Sequence, residues 1–181
     1  MKKYEIRDIL QTAAREKGIC RMYLEYEDCY RYLFPIKAND KLFMYTEEDD
    51  FLLDGFCIRN LHDVEEIERG NDKCSEIAVA EGLLDGLDVP EIDISSWQTV
   101  AEALEKLDEN IIVECESPED YKYAFNIGRI EAVIGDKIRL RHFDGDGVWE
   151  NKPRDMPMGR VAAITFRSRY INIFSKYLPK I

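Results

Sequence analysis

The side chains of this chain that could do chemistry are few. Two histidines, His62 beside Asp63 and His142 after Arg141, titrate near neutral pH. Either could act on Cys29 or Cys57, since an imidazole that takes a thiol proton activates a cysteine nucleophile. Nothing in the spacing brings them together. The chain has no nucleophile elbow, no HExxH and no dinucleotide-binding glycine pattern. Its five cysteines (Cys20, Cys29, Cys57, Cys74, Cys115) are an odd number without a CxxC pair, which suits neither a disulfide framework nor a zinc site. Most stand in apolar patterns, where a free cysteine behaves as a small hydrophobe. The expectation is a protein that is not an enzyme and has no catalytic residue, metal or cofactor.

Two charged features remain. Asp144-Gly145-Asp146-Gly147 has the carboxylates and glycines of a calcium loop, but Asp155 stands at the position where an EF-hand needs a bidentate Glu. A hairpin turn is the simpler reading. The second feature is basic. The net charge of −12 opposes a general nucleic-acid binder, yet residues 137–181 hold ten basic and four acidic side chains. Arg139 and Arg141 alternate with Ile138 and Leu140 and so share one face of a strand. Arg160, Arg167 and Arg169 lie near the closing strand. Arginine binds phosphate and carboxylate bidentately, and the neighbouring Tyr170, His142 and Trp149 could stack on bases. Arg139, Arg141, Arg160, Arg167, Arg169 and Tyr170 are therefore the candidate ligand-binding set. The competing reading pairs them with the acidic first half, where residues 1–90 carry 12 basic and 21 acidic side chains. Tyrosines also cluster in strand-like runs (Tyr23, Tyr26, Tyr30, Tyr32, Tyr121, Tyr123), as peptide-binding grooves or as ordinary packing.

These residues need elements to hold them. Residues 4–17 carry an apolar helical stripe (Ile6, Ile9, Leu10, Ala13, Ala14), with Gly18 placed to end it. Five short strand-like runs follow, at 19–26, 30–36, 42–46, 51–59 and 63–68. Pro35 makes the second an edge or a bent strand, and residues 47–50 read as an acidic loop. A helix at about 73–85 ends near Gly86. The segment 87–94, with Pro90, reads as a linker. Ser95 with Gln98 forms a capping box for a second helix stripe of Trp97, Val100, Ala101, Leu104 and Leu107. Strands return at 111–116, at 121–133 with a bend at Gly128, at 137–143, 148–150 and 161–166. Tyr170, Ile173, Phe174, Tyr177 and Leu178 then supply the stripe of a closing helix.

The two halves share an order. Val64-x-x-Ile67 before one helix echoes Val161-x-x-Ile164 before the other. Glu27-Asp28-Cys29-Tyr30 matches Pro118-Glu119-Asp120-Tyr121, Asn39-Asp40-Lys41-Leu42 matches Gly135-Asp136-Lys137-Ile138, and Asp54-Gly55-Phe56 matches Asp146-Gly147-Val148. An internal duplication follows: residues 1–86 as helix, first barrel and closing helix, and 95–181 as the second copy. The pattern GRIEAVIGDKIRLRHFDGDGVW, with V-x-x-I-x-F-x-S-R-Y after it, resembles bacterial proteins built on the Sm-like, or SH3-type, small β-barrel. The resemblance implies an α+β, mainly β chain of two tandem small barrels, each preceded and followed by a helix. Sm-like relatives bind single-stranded RNA through loops and assemble into rings, but the chain carries no counterpart of their RNA-contacting loop motif.

The expected function is a non-catalytic interaction module that binds a protein partner or itself. The alternative is a single-stranded nucleic-acid binder using the basic face of the second barrel. The start, MKKYEIRDIL, lacks the apolar core of a signal peptide, and no apolar run reaches the about eighteen residues of a membrane helix. A cytoplasmic protein without membrane attachment is the expectation.

Overall fold

A computed structural model describes residues 1–25, 27, 29–116 and 123–180, with the side chains of Tyr123 and Ala124 excepted. The chain divides into two compact units, Met1–Ile94 and Ser95–Ile181. The architecture is mixed α+β and mainly β, with antiparallel pairing throughout. Among the described residues no helix is long and apolar enough to cross a membrane.

The first unit opens with α1 (Lys3–Glu16), whose Ile6, Leu10 and Ala13 are buried at the spacing of one helical face. The left-handed residue that ends it is Lys17 (φ 51°), not Gly18. Gly18 is instead crowded, since a Cβ there would lie 2.7 Å from the Arg69 guanidinium. Six strands follow: β1 (Cys20–Leu24), β2 (Arg31–Ala38), β3 (Leu42–Asp49), β4 (Leu52–Leu53), β5 (Phe56–Asn60) and β6 (Val64–Arg69). A 3₁₀ turn, Leu61–Asp63, joins β5 to β6, and α2 (Lys73–Ala80) follows. The strands pair in the order β5-β3-β2-β1-β6, with β4 also on β3. Pro35 lies past the end of the β1 ladder and beside a bulge against β3, so β2 is a bent inner strand.

In the second unit α3 (Trp97–Leu107) precedes β7 (Asn110–Glu116), β8 (Tyr123–Ile134), β9 (Lys137–His142), β10 (Arg154–Pro157) and β11 (Val161–Phe166). A 3₁₀ turn, Met158–Arg160, precedes β11, and α4 (Arg169–Phe174) follows it. The strand order is β10-β9-β8-β7-β11. Matched strand for strand, this is the order of the first unit, with the 3₁₀ turn at the same step. Among the described residues no ladder joins β5 to β6 or β10 to β11, so the strands of neither unit close on themselves and the expected tandem barrels are not shown. Ile112, Ile127, Phe143 and Ile171 form a core of the second unit, with Trp149, Phe174 and Leu178 against it.

Several local expectations change. Residues 47–49 continue β3 rather than forming an acidic loop, because Glu47 and Glu48 pair with Leu33 and Tyr32. The β3–β4 turn is the two residues Asp50 and Phe51, both at positive φ (50° and 62°). The N-cap of α3 is Ser96, not Ser95. Its Oγ accepts from Thr99 N at 3.2 Å, and Thr99 Oγ1 accepts in return from Ser96 N at 3.2 Å. The expected linker is attached to the first unit: Ile92 and Ile94 are buried, and Lys37 and Asn39 donate to their carbonyls. The closing stripe holds only in part. Helix α4 stops at Phe174 and passes into a 3₁₀ turn, Ser175–Tyr177, and of the stripe Phe174 and Leu178 pack against the core. Ile171 is buried, while Tyr170, Ile173 and Tyr177 are exposed. The match between residues 27–30 and 118–121 falls partly on Asp28 and 118–121, outside the described residues, as do Tyr26 and the start of the expected 121–133 strand.

Two substitutions test this backbone by urea denaturation. A Cβ at Gly128 would stand 1.9 Å from the Arg141 carbonyl oxygen, with no flexible group to yield. Gly128→Ala is expected to destabilise by about 3 kcal/mol, the upper range for overpacking. Phe51 holds a left-handed conformation that costs an ordinary side chain roughly 1 kcal/mol, so Phe51→Gly is expected to stabilise by about that amount. A loss of stability in Phe51→Gly would contradict the turn geometry.

Candidate peptide-binding face

Strand alternation decides which side chains reach solvent. In β9 Ile138, Leu140 and His142 are buried, so Lys137, Arg139 and Arg141 point outward. The cross-strand neighbour of Arg139 is Asp155 on β10. Arg139 holds it bidentately, Nε–Oδ1 at 2.7 Å and Nη2–Oδ2 at 2.9 Å. The Asp155 carboxyl lies below its ordinary range because of that hydrogen bond. Arg141 donates to Glu131 Oε1 at 2.5 Å and to the carbonyls of Glu150 and Asn151 at 3.1 and 3.2 Å. Arg167 grips Glu109 at 3.0 to 3.2 Å. Arg160 donates to the Glu116 carbonyl at 2.8 Å. Arg169 opens α4, and the Tyr170 ring beside it is exposed, 5.6 Å from the Phe174 ring.

The candidate arginines are thus engaged, and the carboxylates that hold Arg139, Arg141 and Arg167 belong to the second unit. This corrects the expectation that the acidic first half neutralises them. Exposed pairs of this kind contribute only about 0–1 kcal/mol each, but they occupy the donors a phosphate would need.

The other candidates are also placed. His62 Nε2 lies 2.9 Å from Asp63 Oδ1. His142 is buried, and its Nδ1 accepts from Ile127 N at 3.2 Å. Burial, with Arg154 nearby, lowers its pKa and favours the neutral ring. Cys20, Cys57 and Cys115 are buried, and Cys29 and Cys74 are exposed. Burial pushes the Cys20 thiol up to about 12. Cys115 lines a cavity of about 190 Å³ in the second unit, with its thiol 3.9 Å from the Met156 sulfur, and burial raises its pKa too. Raised thiols are poor nucleophiles. In the Asp144–Gly147 loop, Asp144 Oδ1 accepts from Asp146 N at 3.0 Å and Val148 N at 2.9 Å, which makes it a backbone-bound hairpin turn.

The tyrosines give the more open arrangement. In β1 the residues Cys20, Met22 and Leu24 are buried, which turns Arg21 and Tyr23 to the other face. Arg21 stands opposite Tyr32 on β2. Tyr30, just before β2, places its ring 5.7 Å from Tyr23 and 5.3 Å from Tyr32, edge-on to the latter. The Arg21 guanidinium sits over the Tyr30 ring at 5.6 Å. The Tyr32 hydroxyl donates to Asp72 Oδ2 at 2.7 Å, and burial with that hydrogen bond raises its pKa. Asp72 is the N-cap of α2 and accepts from Ser75 N at 2.9 Å. Helix α2 therefore anchors one end of the aromatic row.

Sequence reading named these tyrosines but missed Arg21 and Asp72. The alternation Arg21-x-Tyr23 and Tyr30-x-Tyr32 was visible; the register that sets the two pairs side by side, and the return of residue 72, were not. Comparison of the chain with protein-family models, curated proteins and solved structures finds no match.

The hydrogen bonds from Ser75 N and then Tyr32 hold the Asp72 carboxyl below its ordinary 3.8. The folded state therefore binds that proton less readily than the unfolded chain. The stability it contributes is full above about pH 3.8 and is lost as pH falls through the lower folded value. Asp72→Asn is expected to cost about 1 kcal/mol at pH 7 and to show a shallower decline than wild type below pH 4, read from thermal melts across pH.

Proposed function

We propose that the protein is a non-catalytic interaction module of two tandem small-barrel units, and that the tyrosine face of the first unit is where it contacts a protein partner. The observation that carries this reading is the row Tyr23, Tyr30 and Tyr32, with Tyr30 44% exposed in the middle of it. Tyrosine offers a large rigid contact area with a polar tip at low entropic cost, which is why it is enriched where proteins bind. Tyr23 and Tyr32 of the row stand on strands β1 and β2, and Tyr30 between them immediately precedes β2. The shared strand order of the units supports the small-barrel reading, although the strands of neither unit close on themselves.

A single-stranded nucleic-acid binder using the second unit is the weaker proposal, because Arg139, Arg141 and Arg167 are already engaged by carboxylates. A cytoplasmic setting goes with the leading reading, since free thiols suit a reducing compartment.

Panning a displayed random-peptide library against the full chain tests the assignment. Selected peptides are expected to lose binding at least tenfold with Tyr30→Ala, at unchanged melting temperature, and to be indifferent to Arg139→Glu/Arg141→Glu. Peptides indifferent to Tyr30→Ala would remove the tyrosine face from the reading. Salt-sensitive binding of single-stranded RNA lost in the arginine double variant would replace it with the nucleic-acid proposal.

A further inference from the structure

We infer that the tyrosine face is a receptor for an arginine side chain of a partner, and that Arg21 is the chain's own occupant of that seat. The inference rests on the reading of this face as a docking surface and specifies what docks. Three observations converge. The Arg21 guanidinium lies 5.6 Å from the Tyr30 ring centre, within the range of a cation over an aromatic face. Its Nη2 donates to Asn71 Oδ1 at 2.9 Å and stands 3.4 Å from Asp72 Oδ2, so an amide and a carboxylate border the ring. The surroundings are acidic: Glu66 and Glu68 on β6 stand directly opposite Tyr23 and Arg21, and both are exposed. Residues directly opposite in an antiparallel pair share a face.

Arg21 fills the seat poorly. A guanidinium has five N–H donors, and Nε of Arg21 is buried without a hydrogen-bond partner among the described residues. The side chain is tethered in mid-strand, and Tyr30 beneath it remains 44% exposed. A guanidinium arriving on a partner is free of that tether and meets the same carboxylates. The charge is also right: residues 1–90 carry 12 basic against 21 acidic side chains, so the first unit attracts a cationic segment. Arginine rather than lysine is the expected guest, because its planar group stacks on a ring while donating in its own plane to Asp72 and Asn71.

The test titrates the full chain, with labelled tyrosine rings observed by NMR, using acetylated, amidated tri-arginine and tri-lysine peptides. Tri-arginine is expected to shift the rings of Tyr23, Tyr30 and Tyr32 and to bind at least threefold more tightly than tri-lysine. Arg21→Ala is expected to bind tri-arginine three- to tenfold more tightly, since the internal competitor is gone. Tyr30→Leu, which keeps the apolar bulk, is expected to lose the binding and serves as the second variant should Arg21→Ala fail to fold. Unshifted tyrosine rings, equal binding of the two peptides, or unchanged or weaker binding in a folded Arg21→Ala would each overturn the inference. Tyr30-dependent binding of selected peptides that lack arginine would uphold the docking face while overturning this choice of guest.

Discussion

In each unit the first strand of the sheet is hydrogen-bonded to the last, and the remaining geometry follows from that ladder. In the first unit it sets Cys20 opposite Arg69 and Met22 opposite Ile67. In the second it sets Ile111 opposite Phe166. The loop closed in this way is long, but closure entropy grows only slowly with length, and the ladder buries Val64, Ile67, Val161 and Ile164. Burying such a side chain is worth roughly 1.5–3 kcal/mol. Between the tied ends the strands pair in succession along the chain, β1-β2-β3-β5 in one unit and β7-β8-β9-β10 in the other, so both units have one order.

The same ladder builds the tyrosine face. With β6 on one side of β1 and β2 on the other, β1 is an inner strand whose two faces are both spoken for. Cys20, Met22 and Leu24 enter the core, so Arg21 and Tyr23 emerge beside Tyr32 and Glu68. Strand β9 repeats the arrangement, with Arg139 and Arg141 outward over buried Ile138 and Leu140. The two outward rows differ in their neighbours. Arg139 is bound bidentately by Asp155 opposite it, whereas Arg21, between Tyr32 and Glu68, lies over the Tyr30 ring and leaves its Nε without a hydrogen-bond partner among the described residues.

Where the local reading of the chain failed, a tertiary contact or a turn outweighed the pattern. The acidic run 47–50 was polar enough for a loop, but β2 offered Glu47 and Glu48 a ladder and the turn moved on to Asp50 and Phe51. The helical stripe of Tyr170, Ile173, Phe174, Tyr177 and Leu178 was regular, yet the buried residue of that helix is Ile171, and of the stripe only Phe174 and Leu178 pack against the core, Phe174 by stacking on Phe143. The segment 87–94 had a linker's composition, but its isoleucines at 92 and 94 are buried.

By itself the sequence determined the α+β class, the repeated order of elements, the inward residues of α1, α3 and β9, and the Asp144 turn; the bend expected at Gly128 is not seen there, since the register of β8 shifts between Ile130 and Ala132. Each feature it determined rests on short-range periodicity or on the conformational demands of a few adjacent residues. Tertiary structure alone decided that the strands of neither unit close on themselves, that the arginines find carboxylates in their own unit, and that Arg21, Tyr30 and Asp72 meet. These depend on strand register and on which distant strands pair, and a one-residue change of register would turn Arg21, Arg139 and Arg141 to the opposite face.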